Sequence, residues 1–223
     1  MPDGPRARYR TVLFDLDGTL VDTAPDLGYC LNVLRRQRGL PDLSETAFRP
    51  QASHGTQGLL RLGFGLEQSH PDFAGVREAF LAIYATRLTA NSPVFPGMAG
   101  VLDALEERGL NWGVVTNKPT RYTEPLLAHL GLLARAACVV CGDTLAVNKP
   151  HPEPLLWACA VAGSEPAQCL YVGDAQRDMV AATAAGMPGL VAMYGYLGED
   201  DRPGEWGAAG FLARPEDLLN HLD

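Results

Sequence analysis

The chain has no run of eighteen or more apolar residues, which excludes an ordinary membrane-crossing helix. Its first ten residues carry three arginines but no apolar segment and cleavage site of a secretory leader, so a cytoplasmic location is expected. Basic charge is not in surplus: 26 acidic residues face 18 basic ones, for a net charge of -8. That balance argues against a general nucleic-acid or membrane-binding surface and leaves room for a local basic pocket. The expected partner is a small molecule, and the sequence does not choose between a monomer and a homodimer. Repeats and low-complexity tracts are absent. Cysteine is sparse and odd in number, five in all. Cys138 and Cys141 have zinc-ligand spacing but no second pair follows, so reduced, buried thiols are expected. Lysine is nearly missing, with Lys118 and Lys149 against sixteen arginines. Each stands directly before a proline in a loop after a strand, where a compact ammonium group suits an anion.

What is present is an ordinary globular composition, 47% hydrophobic and 20% charged over 223 residues. That is enough for one generous domain, or for a core with a smaller attachment. The most informative stretch is Tyr9–Asp22, YRTVLFDLDGTLVD. An apolar strand pattern ends in Asp15, and Asp17 follows before a glycine turn. Two carboxylates at i and i+2 share a face if the strand continues, and such a pair calls for a cation or a shared proton. A hard divalent ion such as Mg2+ fits oxygen ligands. The alternative is a plain turn at Asp17-Gly18.

After this strand the pattern is helical. One helix runs from Thr23, as N-cap, or Pro25 to about Arg38, and residues 44–90 continue the pattern with a long helix from Asp72 to Thr89. Asn91–Gly97 reads as a linker. Helix and strand then alternate, with strands at Asn111–Thr116, Ala137–Cys141, Gln168–Val172 and Gly189–Met193. A short edge strand at Phe211-Leu212 and a last helix near 215–222 close the chain. The expected fold is α/β, a Rossmann-like, mostly parallel sheet core with an inserted all-helical cap. Residues 1–21 and 93–223 form the core and 22–92 the cap, placed to close over the strand that carries Asp15.

In parallel sheets ligands gather at the carboxyl ends of strands. Here those ends carry Asp15 and Asp17, then Thr116-Asn117-Lys118, then Asn148-Lys149-Pro150, then Gly173-Asp174 with Asp178 behind. This ordered set, DLDGT, TN, lysine before proline and GDxxxD, resembles the haloacid dehalogenase-like phosphohydrolases over nearly the whole chain. The resemblance implies that Asp15 is a nucleophile forming an aspartyl phosphate and that Asp17 is the acid/base. It implies that Thr116, Asn117 and Lys149 bind phosphate. Mg2+ would be held by Asp15, Asp174 and the backbone carbonyl of Asp17, with Asp178 beside them. The aspartate at position 17 argues against carbon–halogen hydrolysis. Ala175 departs from relatives that carry an acid or serine after the metal aspartate.

The helical cap resembles that of the phosphoglycolate phosphatase group, which makes Arg49, Ser53, His54 and Thr56, together with Lys118, the candidates for substrate contact. The stretches WGVVTNKPTRYTEPLL, KPHPEPLL and YGYLGEDDRPGEWGA also resemble the branch acting on N-acetylmuramic acid 6-phosphate in peptidoglycan recycling. The expectation is a phosphatase for 2-phosphoglycolate, or nearly equally for that sugar phosphate. A β-phosphoglucomutase-like mutase and a non-catalytic binding protein are the remaining alternatives. The two phosphatase substrates differ in bulk, so the cavity between cap and core discriminates them.

Overall fold

A computed structural model of the chain describes residues 9–222; the part of the core expectation that falls on residues 1–8 lies outside them. Six strands form one parallel sheet in the order β3-β2-β1-β4-β5-β6. They are β1 (Thr11–Phe14), β2 (Asn111–Val115), β3 (Val139–Val140), β4 (Cys169–Gly173), β5 (Gly189–Ala192) and β6 (Gly210–Leu212). The central strands are buried along their whole length, as TVLF, CLYVG and GLVA show. A parallel sheet covered by helices on both faces requires such apolar runs. The chain leaves β1 first toward β2 and β3, then returns to its other side for β4 to β6. That reversal beside β1 opens a crevice at the carboxyl ends of β1 and β4.

Four helices are inserted between β1 and β2: α1 (Ala24–Gln37), α2 (Glu45–Ala52), α3 (Gly55–Phe64) and α4 (Phe73–Ala85). Pro25 and Asp26 in the first turn of α1 and Arg35 and Arg36 in its last suit the helix dipole. The helix expected over 72–89 stops at Ala85, where the amide of Thr86 turns back to the carbonyl of Ile83. The remaining helices are α5 (Met98–Glu107), α6 (Thr120–His129), α7 (Glu153–Val161) and α8 (Gln176–Ala184), which flank the sheet. Two further expectations are corrected. The third strand keeps only Val139 and Val140, because it lies at the sheet edge with a partner on one side. The closing segment Pro215–His221 winds as a 3-10 helix.

The way out to the inserted helices and the way back run side by side. Val21 and Val94 form an antiparallel bridge, and the amides of Asp22 and Phe95 donate to the carbonyls of Pro93 and Leu20. Asp26, with no exposed surface, accepts bonds from the Asn91 amide, the Ser92 hydroxyl and Arg87. Leu31, Leu59 and Phe80 of the inserted helices belong to the same buried cluster as Phe14, Val114 and Leu126 below. The helices therefore rest on the carboxyl edge of the sheet.

Candidate active site

Asp15 follows β1 directly, and its amide is still bonded to the carbonyl of Val172 on β4 at 2.9 Å. The chain then coils: the amides of Thr19, Leu20 and Val21 all turn to the carbonyl of Leu16. Gly18 makes this coil possible. Its φ is +82°, and a Cβ there would lie 2.1 Å from Asp174 Oδ2. Only glycine combines that backbone with that approach. The carboxylate of Asp15 accepts the Leu16 amide at 2.7 Å and Lys149 Nζ at 3.0 Å on Oδ1, while Oδ2 lies 3.9 Å from Arg177. Burial raises its pKa, opposed by Lys149.

The coil separates Asp17 from Asp15. Asp17 Oδ1 receives Lys118 Nζ at 2.9 Å and the hydroxyl of Thr23 at 2.6 Å. Thr23 thus stands at the start of α1 without capping it through its side chain. Lys118, expected to face substrate, lies on the core loop after β2 and also donates to the Tyr84 hydroxyl of α4 at 2.7 Å. The two acceptors outweigh burial and hold its pKa above the usual lysine range.

Lys149 has a fully buried side chain, with Asp178 at 2.8 Å and the Tyr171 hydroxyl at 2.6 Å in addition to Asp15. Asp178 also receives the Ala175 amide at 3.0 Å, which opens α8 in place of a polar side chain at residue 175. Asn117 lines the cavity next to Thr116. Its amide group donates to the carbonyl of Lys149 and accepts its N–H, at 2.9 and 3.1 Å, which fixes the loop that aims Lys149. Thr116 is buried at the cavity wall, its hydroxyl accepting the Lys118 amide at 3.2 Å.

Asp15, Asp174 and Asp178 can bring one oxygen each within 4.8 Å of one another. The carboxylate of Asp17 is outside this group, so Asp17 could contribute only through its backbone. Asp174 is buried; burial and the charges of Asp15 and Asp178 push its pKa up to about 8. Its Oδ2 accepts the Tyr196 amide at 2.9 Å. Three carboxylates face two cations, Lys149 and Arg177, and this uncompensated negative charge fits a divalent cation bound through oxygen. Asp178 is the most fully bonded of the three, so Asp15 and Asp174 are the best placed to hold such an ion.

Above this floor lies a cavity of about 510 Å³, between the sheet edge and the inserted helices. Ser53 reaches down to Asp174 Oδ1 at 3.4 Å and accepts a bond from Arg177 at 3.2 Å. His54 lines the cavity, its pKa lowered by burial and by Arg177. Arg49 does not line it, and the expected substrate contact is corrected: its guanidinium pairs with Asp22 at 2.8 Å and Glu45 at 2.9 Å and lies over the Tyr196 ring. An acid one turn away claimed it.

Three arginines missed by sequence reasoning line the cavity instead, Arg61 of α3, Arg77 of α4 and Arg177 of α8. Arg177 had a readable signal. It stands in the first turn of α8, where a cation opposes the helix dipole unless anions lie close by.

Residues 12–192 match the family model described as haloacid dehalogenase-like hydrolase. The chain is 39% identical to the N-acetylmuramic acid 6-phosphate phosphatase of Pseudomonas aeruginosa, covering 98% of this chain and 96% of that protein. It is 43% identical to a phosphoglycolate phosphatase of Xanthomonas campestris pv. campestris, covering 94% of each. A crystal structure from Haemophilus somnus, described as a predicted phosphoglycolate phosphatase, superposes with a TM-score of 0.85 at 29% identity. It covers 98% of this chain and 100% of that one.

Proposed function

The chain belongs to the haloacid dehalogenase-like hydrolases, and on that premise we propose that it is a Mg2+-dependent phosphatase that uses Asp15 to hydrolyse a sugar-sized acidic phosphomonoester, N-acetylmuramic acid 6-phosphate being the best match. In this reading Asp15 attacks phosphorus and carries the phosphoryl group. Lys149, 3.0 Å from its Oδ1, screens the charge of the incoming phosphate. Thr116 offers a hydroxyl to a phosphate oxygen. Asp17 handles the proton: Lys118 and Thr23 both occupy its Oδ1, which leaves Oδ2 to protonate the leaving oxygen and then to take a proton from water. When bound at Asp15 and Asp174, Mg2+ would neutralise the phosphate and nucleophile charges that otherwise repel. The inserted helices exclude bulk water from the aspartyl phosphate.

The cavity carries the choice of substrate. At about 510 Å³ it falls within the range that encloses a ligand of many heavy atoms. The two-carbon acid 2-phosphoglycolate would leave most of it to water, whereas an N-acetylated sugar acid would occupy a much larger share of it. Phosphate release with Mg2+ tests the reading. We expect kcat/KM for N-acetylmuramic acid 6-phosphate to exceed that for 2-phosphoglycolate by about tenfold or more, since lost contacts leave polar groups unpaired. Equal or reversed values would overturn the assignment. Undiminished release by Asp15→Asn would overturn the mechanism.

A further inference from the structure

Seven arginines lie between residues 24 and 92. Five have structural partners. Arg35 bonds the carbonyls of Pro41 and Gly63, and Arg36 pairs with Asp42. Arg38 bonds the carbonyl of Leu34 and covers the Phe64 ring. Arg49 pairs with Asp22 and Glu45, and Arg87 pairs with buried Asp26 and lies over Tyr29. The remaining two are different. Among the described residues Arg61 has a single hydrogen bond, to the amide oxygen of Gln51 at 3.4 Å. Among the described residues Arg77 has no hydrogen bond or ion pair. These two uncommitted guanidinium groups are the ones that line the cavity.

The charge around them is one-sided. Among the described residues the carboxylates that line the cavity are Asp15 and Asp17, both on its floor. His54, on the turn between α2 and α3, lines the same cavity, and its pKa is lowered by burial, Arg177 and Arg61, with Asp201 opposing them from outside the cavity lining. Arg77 stands on α4, the helix that also carries Tyr84 above Lys118. A phosphate on Asp15 takes Lys149 and Arg177 as its cations. It leaves Arg61 and Arg77 without an anion, in a protein whose net charge is -8. Uncommitted guanidinium groups facing a concave site suit bidentate recognition of a carboxylate.

We propose that Arg61 and Arg77 form a carboxylate subsite in the inserted helices, which selects phosphomonoesters bearing a second anionic group beyond the reach of the phosphate cations. The proposal rests on the phosphatase reading above and adds the residues that read the substrate's acid. It assigns to α3 and α4 the task that the sequence suggested for Arg49 on α2.

The test uses the full chain with Mg2+ and two sugars, N-acetylmuramic acid 6-phosphate and N-acetylglucosamine 6-phosphate. They share the ring and the phosphate and differ in the carboxylate-bearing ether. The expected preference of the unaltered protein for the acid is about tenfold or more in kcat/KM, the scale of a hydrogen bond to a charged group. In the double variant Arg61→Ala, Arg77→Ala that ratio should fall to about one, mainly through a higher KM for the acid. Arg61→Lys with Arg77→Lys should restore part of it. Both side chains are exposed, and an unchanged circular dichroism melt would establish that the variants fold. A ratio that survives the double alanine variant, or equal rates on the two sugars for the unaltered protein, would overturn the subsite alone. No phosphate released from either sugar or from p-nitrophenyl phosphate would overturn the phosphatase reading beneath it.

Discussion

At Asp174 the pKa of about 8 is a property of the ion-free cluster, set by burial and by the carboxylates of Asp15 and Asp178. A divalent cation binds the ionised form, so at pH 7 the site must lose a proton as the ion enters. We expect Mg2+ affinity to climb as pH rises toward 8 and to level above it. Calorimetry in buffers of different ionisation heat should detect proton release on the acid side. Binding without proton release at pH 6 would contradict this. Gly18 makes a second prediction at this scale. In Gly18→Ala the left-handed backbone costs about 1–2 kcal/mol, and the new methyl group meets Asp174 Oδ2. The variant should melt earlier and lose Mg2+ binding, as titration calorimetry would show. Asp15, Asp17, Lys149 and Asp174 were legible in the sequence because each follows a strand pattern or a marked turn. Arg61 and Arg77 were not, since an arginine facing a cavity reads like any solvated arginine until its lack of partners is seen.

The inserted helices are held by contacts that a linear reading assigns elsewhere. Asp26 carries one such contact, collecting the Asn91 amide, the Ser92 hydroxyl and Arg87 in a site without water access. Removing this acceptor strands the buried Ser92 hydroxyl and frees two partly buried donors, so Asp26→Ala should cost about 2–4 kcal/mol, or roughly 5–15 °C in melting temperature. A melt within a degree of the unaltered protein would refute that role. Arg49 carries another, tying α2 to Asp22 beside the first connection and to Tyr196, whose amide holds Asp174. Arg49→Ala should lower kcat for every phosphomonoester alike and leave the ratio of acidic to neutral sugars in place. Elements with strong periodicity, such as α1 and β4, matched their sequence patterns closely. The two-residue β3 and the closing 3-10 turn did not, because edge pairing and end fraying depend on what lies alongside.

For the molecule as a whole, the buried cluster that runs from Leu59 and Phe80 above the sheet to Phe14 and Val114 within it couples the two parts of the fold. Filling the carboxylate cluster should therefore stabilise the entire structure. At Mg2+ concentrations of about one hundred times Kd the gain is about 2.7 kcal/mol, readable as a raised melting temperature that EDTA removes and that Asp174→Asn abolishes. An equal shift in that variant would place the ion elsewhere. Among the described residues no helix is long and apolar enough to cross a membrane. The sequence by itself determined the alternation of strand and helix, the insertion after β1 and the polar groups at strand ends, because apolar periodicity and motif spacing are local properties. Only the tertiary structure decided that Asp17 parts from Asp15 to meet Lys118, that Asn117 serves the Lys149 loop, and that Arg49 yields the cavity to Arg61 and Arg77. Those outcomes depend on which charges from distant segments come within a few ångströms of each other, and no local pattern records that.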